Sequence, residues 1–223
     1  MVVLARLLTP ADFGIIAMAS LAVGLIDVLL DLGVNIALIQ NSKADDDDYN
    51  TAWSLRLIQA CLAGLLIILM APIASEYYNN PNVTDVLRVM AVSVIIAGLE
   101  NIGIVTFQKN MEFGLDFKFF FFKRVVGFLI TLFAAFLLHS YWAMVLGSLA
   151  GRVAGVLLSY GMHPFRPRFS LIRLKHIWSF SQWVLVKNIG SYFDNRLDQL
   201  FVGRITNAAT TGTYTVAGEN SYS

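Results

Sequence analysis

The sequence predicts an all-α, polytopic membrane helix bundle, and three observations carry that prediction. About six apolar stretches are spread along 223 residues, each close to the ~20 residues that cross ~30 Å of hydrocarbon as a helix. Hydrophobic residues make up 57% of the chain and charged residues 14%, where a soluble domain carries about a quarter charged; mean hydropathy is +0.66. Finally, Arg152 stands in the middle of the apolar segment 141–162. A guanidinium at the bilayer centre costs at least ~2.5 kcal/mol, so a chain that repeats such a cost on several helices is building a polar interior.

The spans are expected at 13–39, 51–73, 84–106, 117–138, 141–162 and 178–202. Thr9-Pro10-Ala11-Asp12 opens the first, with Pro10 in the first helical turn. The polar segment 41–50 reads as a loop before the second span, its acidic run Asp45–Asp48 as a solvated stretch. Residues 77–82 separate the second and third spans, with Asn82 or Thr84 as N-cap. His139-Ser140 is so short a connection that the flanking helices must be antiparallel neighbours. The longest connection follows, from His163 to Lys175, with two prolines and four Lys/Arg. The domain plan is thus a transmembrane lobe at 1–162, a cytoplasmic connector at 163–177, and the start of a second lobe at 178–223.

Basic residues orient the bundle. With loop 41–50 inside, alternation places Lys43, Lys109, Lys118, Lys123, Arg124, Arg166, Arg168, Arg173 and Lys175 on the inner side and Arg6, Arg88 and Arg204 outside. That asymmetry satisfies the positive-inside rule. Tyr77, Tyr78, Tyr141 and Trp142 then form an outer aromatic belt, and Trp53 and Trp178 an inner one. Lys123 and Arg124 read as interfacial anchors.

Net charge is +1, so no basic field points to nucleic acid. The single cysteine, Cys61, reads as a small packing residue. His139, His163 and His176 are scattered over loops, no metal cluster or nucleophile triad is visible, and no cofactor is expected. Nor does Met1–Leu4 begin a cleavable signal peptide, since a charged, proline-containing turn follows at once.

An internal repeat adds to this plan. Leu4-Ala5-Arg6-Leu7-Leu8-Thr9, followed by Gly14 and Ala19, matches Val202-Gly203-Arg204-Ile205-Thr206-Asn207, followed by Gly212 and Ala217. An even number of crossings between the blocks makes the repeats parallel, one of the repeat plans of secondary transporters. The repeat leads us to expect a fragment: a first lobe lacking most of its first helix, plus a seventh helix, of a protein with about twelve or more helices.

The block Leu4–Gly14, then Asp31-Leu32-Gly33 running into Ala37-Leu38-Ile39-Gln40, then Asn50-Thr51-Ala52-Trp53, resembles the polysaccharide-exporting flippases of the multidrug/oligosaccharidyl-lipid/polysaccharide superfamily. The branch it looks most like is the colanic-acid and teichuronic-acid exporter type. Leu197–Arg204 and Gly212-Thr213-Tyr214 look like that branch's seventh helix and the turn after it. The resemblance spans nearly the whole chain. It implies a two-lobe, MATE-like transporter with a central cationic cavity in the bacterial inner membrane, not an enzyme. Its substrate would be undecaprenyl-pyrophosphate-linked oligosaccharide for O-antigen or exopolysaccharide biosynthesis. Membrane lipids, a proton or sodium ion as coupling candidate, and a polysaccharide assembly complex complete the partners it implies. Asp45–Asp48 and the ending Glu219–Ser223 depart from the family's pattern.

Within the spans, the basic residues left over from the loops are Arg56, Arg152, Lys187 and Arg196. A diphosphate carries closely spaced charge that guanidinium forks match bidentately, so these four are the candidate substrate contacts. The candidate coupling carboxylates are Asp27, Asp31, Glu100, Asp194 and Asp198. Asp27, Asp31 and Asn35 share one stripe of the first span. The competing reading is that Arg152 only neutralises Asp27, Asp31 or Glu100, and that Glu100 snorkels to the inner interface. Gly147, Gly151, Gly155 and Ser159, four residues apart, make a small-residue face for close helix packing, with Arg152 beside it. Two rival functions stand beside this one. A cation-coupled multidrug exporter of the same fold would favour carboxylates and aromatics in its cavity. A membrane polymerase, ligase or glycosyltransferase needs a large outer loop, and the outer loops here are short.

Overall fold

The structure is a computed structural model that describes residues 9–30, 32–175 and 190. Among them there is no strand, and the elements are helices. In chain order these are α1 (Pro10–Leu30), α2 (Val34–Gln40), α3 (Asp46–Tyr77), α4 (Asn82–Gly98), a 3-10 turn (Ile102–Ile104), α5 (Val105–Lys109), α6 (Phe113–Leu138) and α7 (Trp142–Met162). Four helices are long and apolar enough to cross a membrane, and α4 with its bent continuation makes a fifth. The expected all-α membrane bundle is present. The expected span at 178–202 and both repeat blocks, apart from Thr9 and the later Gly14 and Ala19, lie outside the described residues.

Local chemistry sets most boundaries. Asp12 N–H donates to Thr9 Oγ1 (3.3 Å) while Asp12 Oδ2 accepts from Thr9 N–H (2.9 Å), which caps α1 reciprocally at Pro10. The acidic run is a correction to the solvated-loop reading. Asp45 caps α3 in a capping box with Asp48, and Asp46, Asp47 and Asp48 fill the first turn, where negative charge meets the positive end of the helix dipole. The N-cap of α4 is also a correction: it is Pro81, with no side-chain cap, and neither Asn82 nor Thr84 serves. His139 closes α6 in the left-handed conformation (φ 47°), which turns the chain straight into α7.

Two expected spans are broken. The segment 13–39 is interrupted between Leu30 and Val34, where Gly33, with a left-handed φ of 59°, is the N-cap of α2. The stripe joining Asp27 to Asn35 therefore does not continue, and Asn35 is exposed. The segment 84–106 stops at Gly98 and resumes at Ile102 with a 67° bend. Asn101 stabilises this break by accepting from Gly103 N–H (2.9 Å) as cap of the 3-10 turn.

The main core lies among α1, α3, α4 and α7 and includes Ala19, Ile67, Val83, Leu87, Ala91 and Val145. A second core at the opposite end joins α2, the start of α3 and the break, through Val34, Leu38, Ala52, Leu55 and Ile102; Trp53 packs against it. α6 and α7 meet through glycines. A Cβ on Gly127 would stand 3.1 Å from Gly147 O, and one on Gly147 would run into Thr131 Oγ1. The predicted small-residue face is thus used, against α6. Elsewhere α6 presents Phe117, Phe120, Phe128, Phe133 and Phe136 outward, as a lipid-facing helix does. Cys61 is exposed as well, which corrects its reading as a packing residue.

The loop ends segregate into two sets. Asp12 Oδ1 accepts from Tyr141 N–H (3.2 Å), so the start of α1 adjoins the start of α7, and Tyr78, Tyr141 and Trp142 pack on the same core. At the other end, residues 163–175 do not hang free. Arg168 N–H donates to Asn50 Oδ1 (2.7 Å), Ser170 N–H to Ser54 Oγ (2.8 Å) and Arg173 N–H to Thr51 Oγ1 (3.2 Å), while Arg173 pairs with Asp45 (2.9 Å). The connector is a strap laid across the first two turns of α3.

Candidate functional site

Three helices bring polar side chains to one cavity inside the span, and a fourth closes its wall. Asp27 from α1, Arg56 and Gln59 from α3, and Arg152 from α7 line it, and Ala60, Ala97 and Gly98 complete the walls where α3 passes α4. Its volume is about 240 Å³. The close approach has a steric cause: a Cβ on Gly98 would collide with that of Ala60. Arg152 stands beside the glycine face of α7, so its guanidinium reaches the cavity while Gly147 and Gly151 face α6.

Behind Arg56 stands Glu100, on the residue pair where the α4 span breaks. Its carboxylate is almost fully buried, with Oε2 2.7 Å from Arg56 Nη2 and Oε1 2.7 Å from Lys123 Nζ. Arg56 Nη2 also reaches Ala97 O at 3.4 Å, one of the last α4 carbonyls, which accepts from Glu100 N–H as well (3.2 Å). A buried carboxylate without a counter-charge would be strongly destabilising, and two cations with good geometry remove that penalty. Two earlier expectations are corrected here. Glu100 does not snorkel, because the break turns it into the bundle. Lys123 is not a free interfacial anchor, because its Nζ pairs with the buried Glu100 carboxylate.

Among the described residues Arg152 forms no hydrogen bond or ion pair, and it does not neutralise Glu100. Asp27 shares the cavity with it. The candidates Asp31, Lys187, Asp194, Arg196 and Asp198 lie outside the described residues. The structure therefore brings together Arg56, Arg152 and Asp27 at the cavity, and Glu100 directly behind it. Lys123 was missed as a member of this group, since no spacing along the chain links α6 to the break after α4. No group of His, Cys, Asp and Glu among the described residues could hold a metal.

The residue after Glu100 faces the other way. Asn101 N–H donates to Ser159 Oγ (2.9 Å) and its Nδ2 to Phe165 O (2.7 Å), which ties the break to α7 and to the strap. His163 anchors the strap nearby. Its Nδ1 accepts from Phe165 N–H (3.1 Å) and its Nε2 lies 3.2 Å from Thr106 Oγ1, whose hydroxyl donates to Gly103 O (2.7 Å). Burial, aided by the Arg166 charge, lowers the His163 pKa below its ordinary value, with Glu112 opposing. At the strap's far end, the Asp48 backbone N–H holds the Asp45 carboxyl below its usual range, with desolvation opposing and Arg173 adding to the lowering.

Comparison with known proteins agrees with this architecture. A family profile described as "Polysaccharide biosynthesis protein" matches residues 3–222. The chain is 23% identical to the lipopolysaccharide biosynthesis protein WzxC of Escherichia coli, over 97% of this chain and 45% of that protein. It is 23% identical to the teichuronic acid biosynthesis protein TuaB of Bacillus subtilis, over 85% of this chain and 40% of that protein. With the succinoglycan biosynthesis transport protein ExoT of Rhizobium meliloti it shares 22% identity, over 96% of this chain and 44% of that protein. The chain thus spans about half the length of these relatives. No solved structure matches it. With its apolar helices and a profile match over nearly its full length, this chain is a multi-pass membrane protein that belongs to the polysaccharide biosynthesis protein family.

Proposed function

We propose that this chain is the first lobe of a transporter that moves pyrophosphate-linked oligosaccharide on a polyprenyl lipid across the bacterial inner membrane, and that it is not an enzyme. The observation that carries the reading is the meeting of Arg56 and Arg152, from different helices, in one cavity within the span. Guanidinium groups in a low-dielectric cavity suit a closely spaced dianion. The cavity's volume, about 240 Å³, is below the ~300–1,000 Å³ usual for a pocket that encloses a whole small ligand. It suits one wall of a site for a charged headgroup, with the lipid tail left in the bilayer and a second lobe closing the other side. Rocking of the two lobes would expose such a site alternately to each face. The names of the relatives support a role in polysaccharide biosynthesis and transport. A multidrug exporter of the same fold fits less well, because two guanidinium groups in the cavity disfavour a cationic or apolar cargo. Asp27 is the coupling-ion candidate left within the cavity.

The test is export in cells. Arg152→Ala in the full-length protein is expected to abolish surface polysaccharide at unchanged protein level. Arg152→Lys is expected to retain part of it, since charge survives while the bidentate fork does not. Wild-type export by Arg152→Ala overturns the assignment. Rescue of Arg152→Ala by Asp27→Asn reassigns Arg152 to charge balance.

A further inference from the structure

Arg56, Glu100 and Lys123 carry two positive charges and one negative charge, joined by two contacts of 2.7 Å. A lone Arg56–Glu100 pair would be neutral and would present no charge to the cavity. Lys123 approaches the carboxylate oxygen that Arg56 does not use, and it does not line the cavity. Room for it exists only because position 155 is glycine: a Cβ there would stand 2.8 Å from Glu100 Oε1 and 2.8 Å from Lys123 Cε. Three separate elements, α6, α7 and the α4 break, are thus shaped to give Glu100 a second cation on the side away from the cavity.

We propose that Lys123 and Glu100 are positioning residues for Arg56: Glu100 fixes the guanidinium at the cavity wall, and Lys123 neutralises Glu100 so that Arg56 keeps its charge for an anionic ligand. The inference rests on the cationic-cavity reading and adds to it how one of the two guanidinium groups is held. Arg56 is then a preset fork, tied to Glu100 and Ala97 O, and Arg152 is the cation that adjusts to the ligand. The ligand chemistry is a diphosphate, carried on a polyprenyl lipid or free in solution.

The experiment measures the Kd of the full-length protein in nanodiscs for inorganic pyrophosphate and for a polyprenyl pyrophosphate, at low and high salt. Lys123→Met leaves a neutral Arg56–Glu100 pair and is expected to weaken binding by about tenfold or more, because a unit charge this close is only partly screened. Lys123→Arg is expected to bind like wild type. Glu100→Gln raises the net charge of the triad and is expected to tighten binding several-fold, an effect that misfolding does not produce. Lys123→Met with Glu100→Gln is expected to bind more tightly than Lys123→Met alone. A purely structural role predicts no gain from Glu100→Gln and no recovery in the double variant, and that result overturns the proposal. If wild type binds and Arg152→Ala weakens it while both Glu100→Gln and Lys123→Met leave Kd unchanged, the cavity reading stands and the positioning role fails. Absence of binding in wild type overturns both. Binding of the lipid form alone identifies the lipid-linked source, and binding of both shows that the headgroup suffices.

Discussion

A single methyl group at Gly155 is expected to damage the ion triad, whereas the same methyl one turn earlier, at Gly151, is expected to be silent. On Gly155 the new carbon would stand 2.8 Å from Glu100 Oε1 and 2.8 Å from Lys123 Cε. Ordinary contact requires roughly 0.5 Å more. Glu100 is buried and held on both oxygens, so it cannot retreat without lengthening a 2.7 Å ion pair. On Gly151 the nearest atoms, Gly127 Cα and Lys123 O, lie at 3.6 Å, within normal contact. Overpacking of a tight core costs about 1–3 kcal/mol, and the strained ion pair places Gly155→Ala towards the upper part of that range. The assay is the melting temperature of the detergent-purified full-length protein, read by fluorescence-detected size exclusion, for Gly151→Ala and Gly155→Ala side by side. Gly155→Ala is expected to melt several degrees below wild type and Gly151→Ala within a degree or so of it. Gly155→Ala combined with Lys123→Ala, which vacates the space, is expected to lose less than the two single changes added together. Equal melting of the two alanine variants would refute the reasoning, since it would mean that the Glu100 and Lys123 side chains yield to the methyl group without cost.

Two further predictions concern the ends of the bundle. Introduced cysteines near Asn80 and Ser140 are expected to react with a membrane-impermeant thiol reagent added from outside, and cysteines at Lys43 and Arg168 are expected to be spared; equal labelling of both sets would overturn the orientation. The pH dependence of strap docking follows from the lowered pKa of His163. The unfolded or undocked state binds the proton more readily, so docking is complete above the ordinary histidine pKa, about 6.5. It weakens as pH falls from there through the lowered native value, because a protonated Nδ1 cannot accept from Phe165 N–H. Disulfide formation between Asn50→Cys and Arg168→Cys reports docking. Its yield is expected to fall on the acid side in the His163 protein and to be flatter with His163→Asn.

The spans of this chain were legible because hydropathy measures the main requirement of the bilayer, and the short His139-Ser140 turn was enough to pair α6 with α7. The glycine face of α7 was legible for the same kind of reason, since spacing alone puts small residues on one side. The breaks were not. Gly33 and the Gly98–Gly103 region look like ordinary residues of a membrane helix, where glycine is common, and only tertiary packing decides which glycine bends the chain. The site was half visible. Arg152 and Arg56 announce themselves as charges among apolar residues, but the partners of Glu100 depend on the direction a broken helix turns. Lys123 was misread because its neighbours Phe119–Phe122 suggested an interface, and its pairing with Glu100 exists only in the tertiary structure. The strap was the least legible element, as Asn50, Thr51 and Ser54 match backbone groups and not side chains with a recognisable pattern.

Glu100 and Asn101 are joined by one stiff, planar amide, yet one grips a cation at the cavity wall and the other grips the carbonyl of Phe165 on the strap. The N–H of that amide donates to Ser159 Oγ (2.9 Å), so the break is pinned to α7 as well. The break is therefore a shared anchor. The cavity wall and the strap hang on neighbouring residues and on one hydrogen bond to α7. The wall of the cavity and the chain leaving the bundle thus share one support, two residues long.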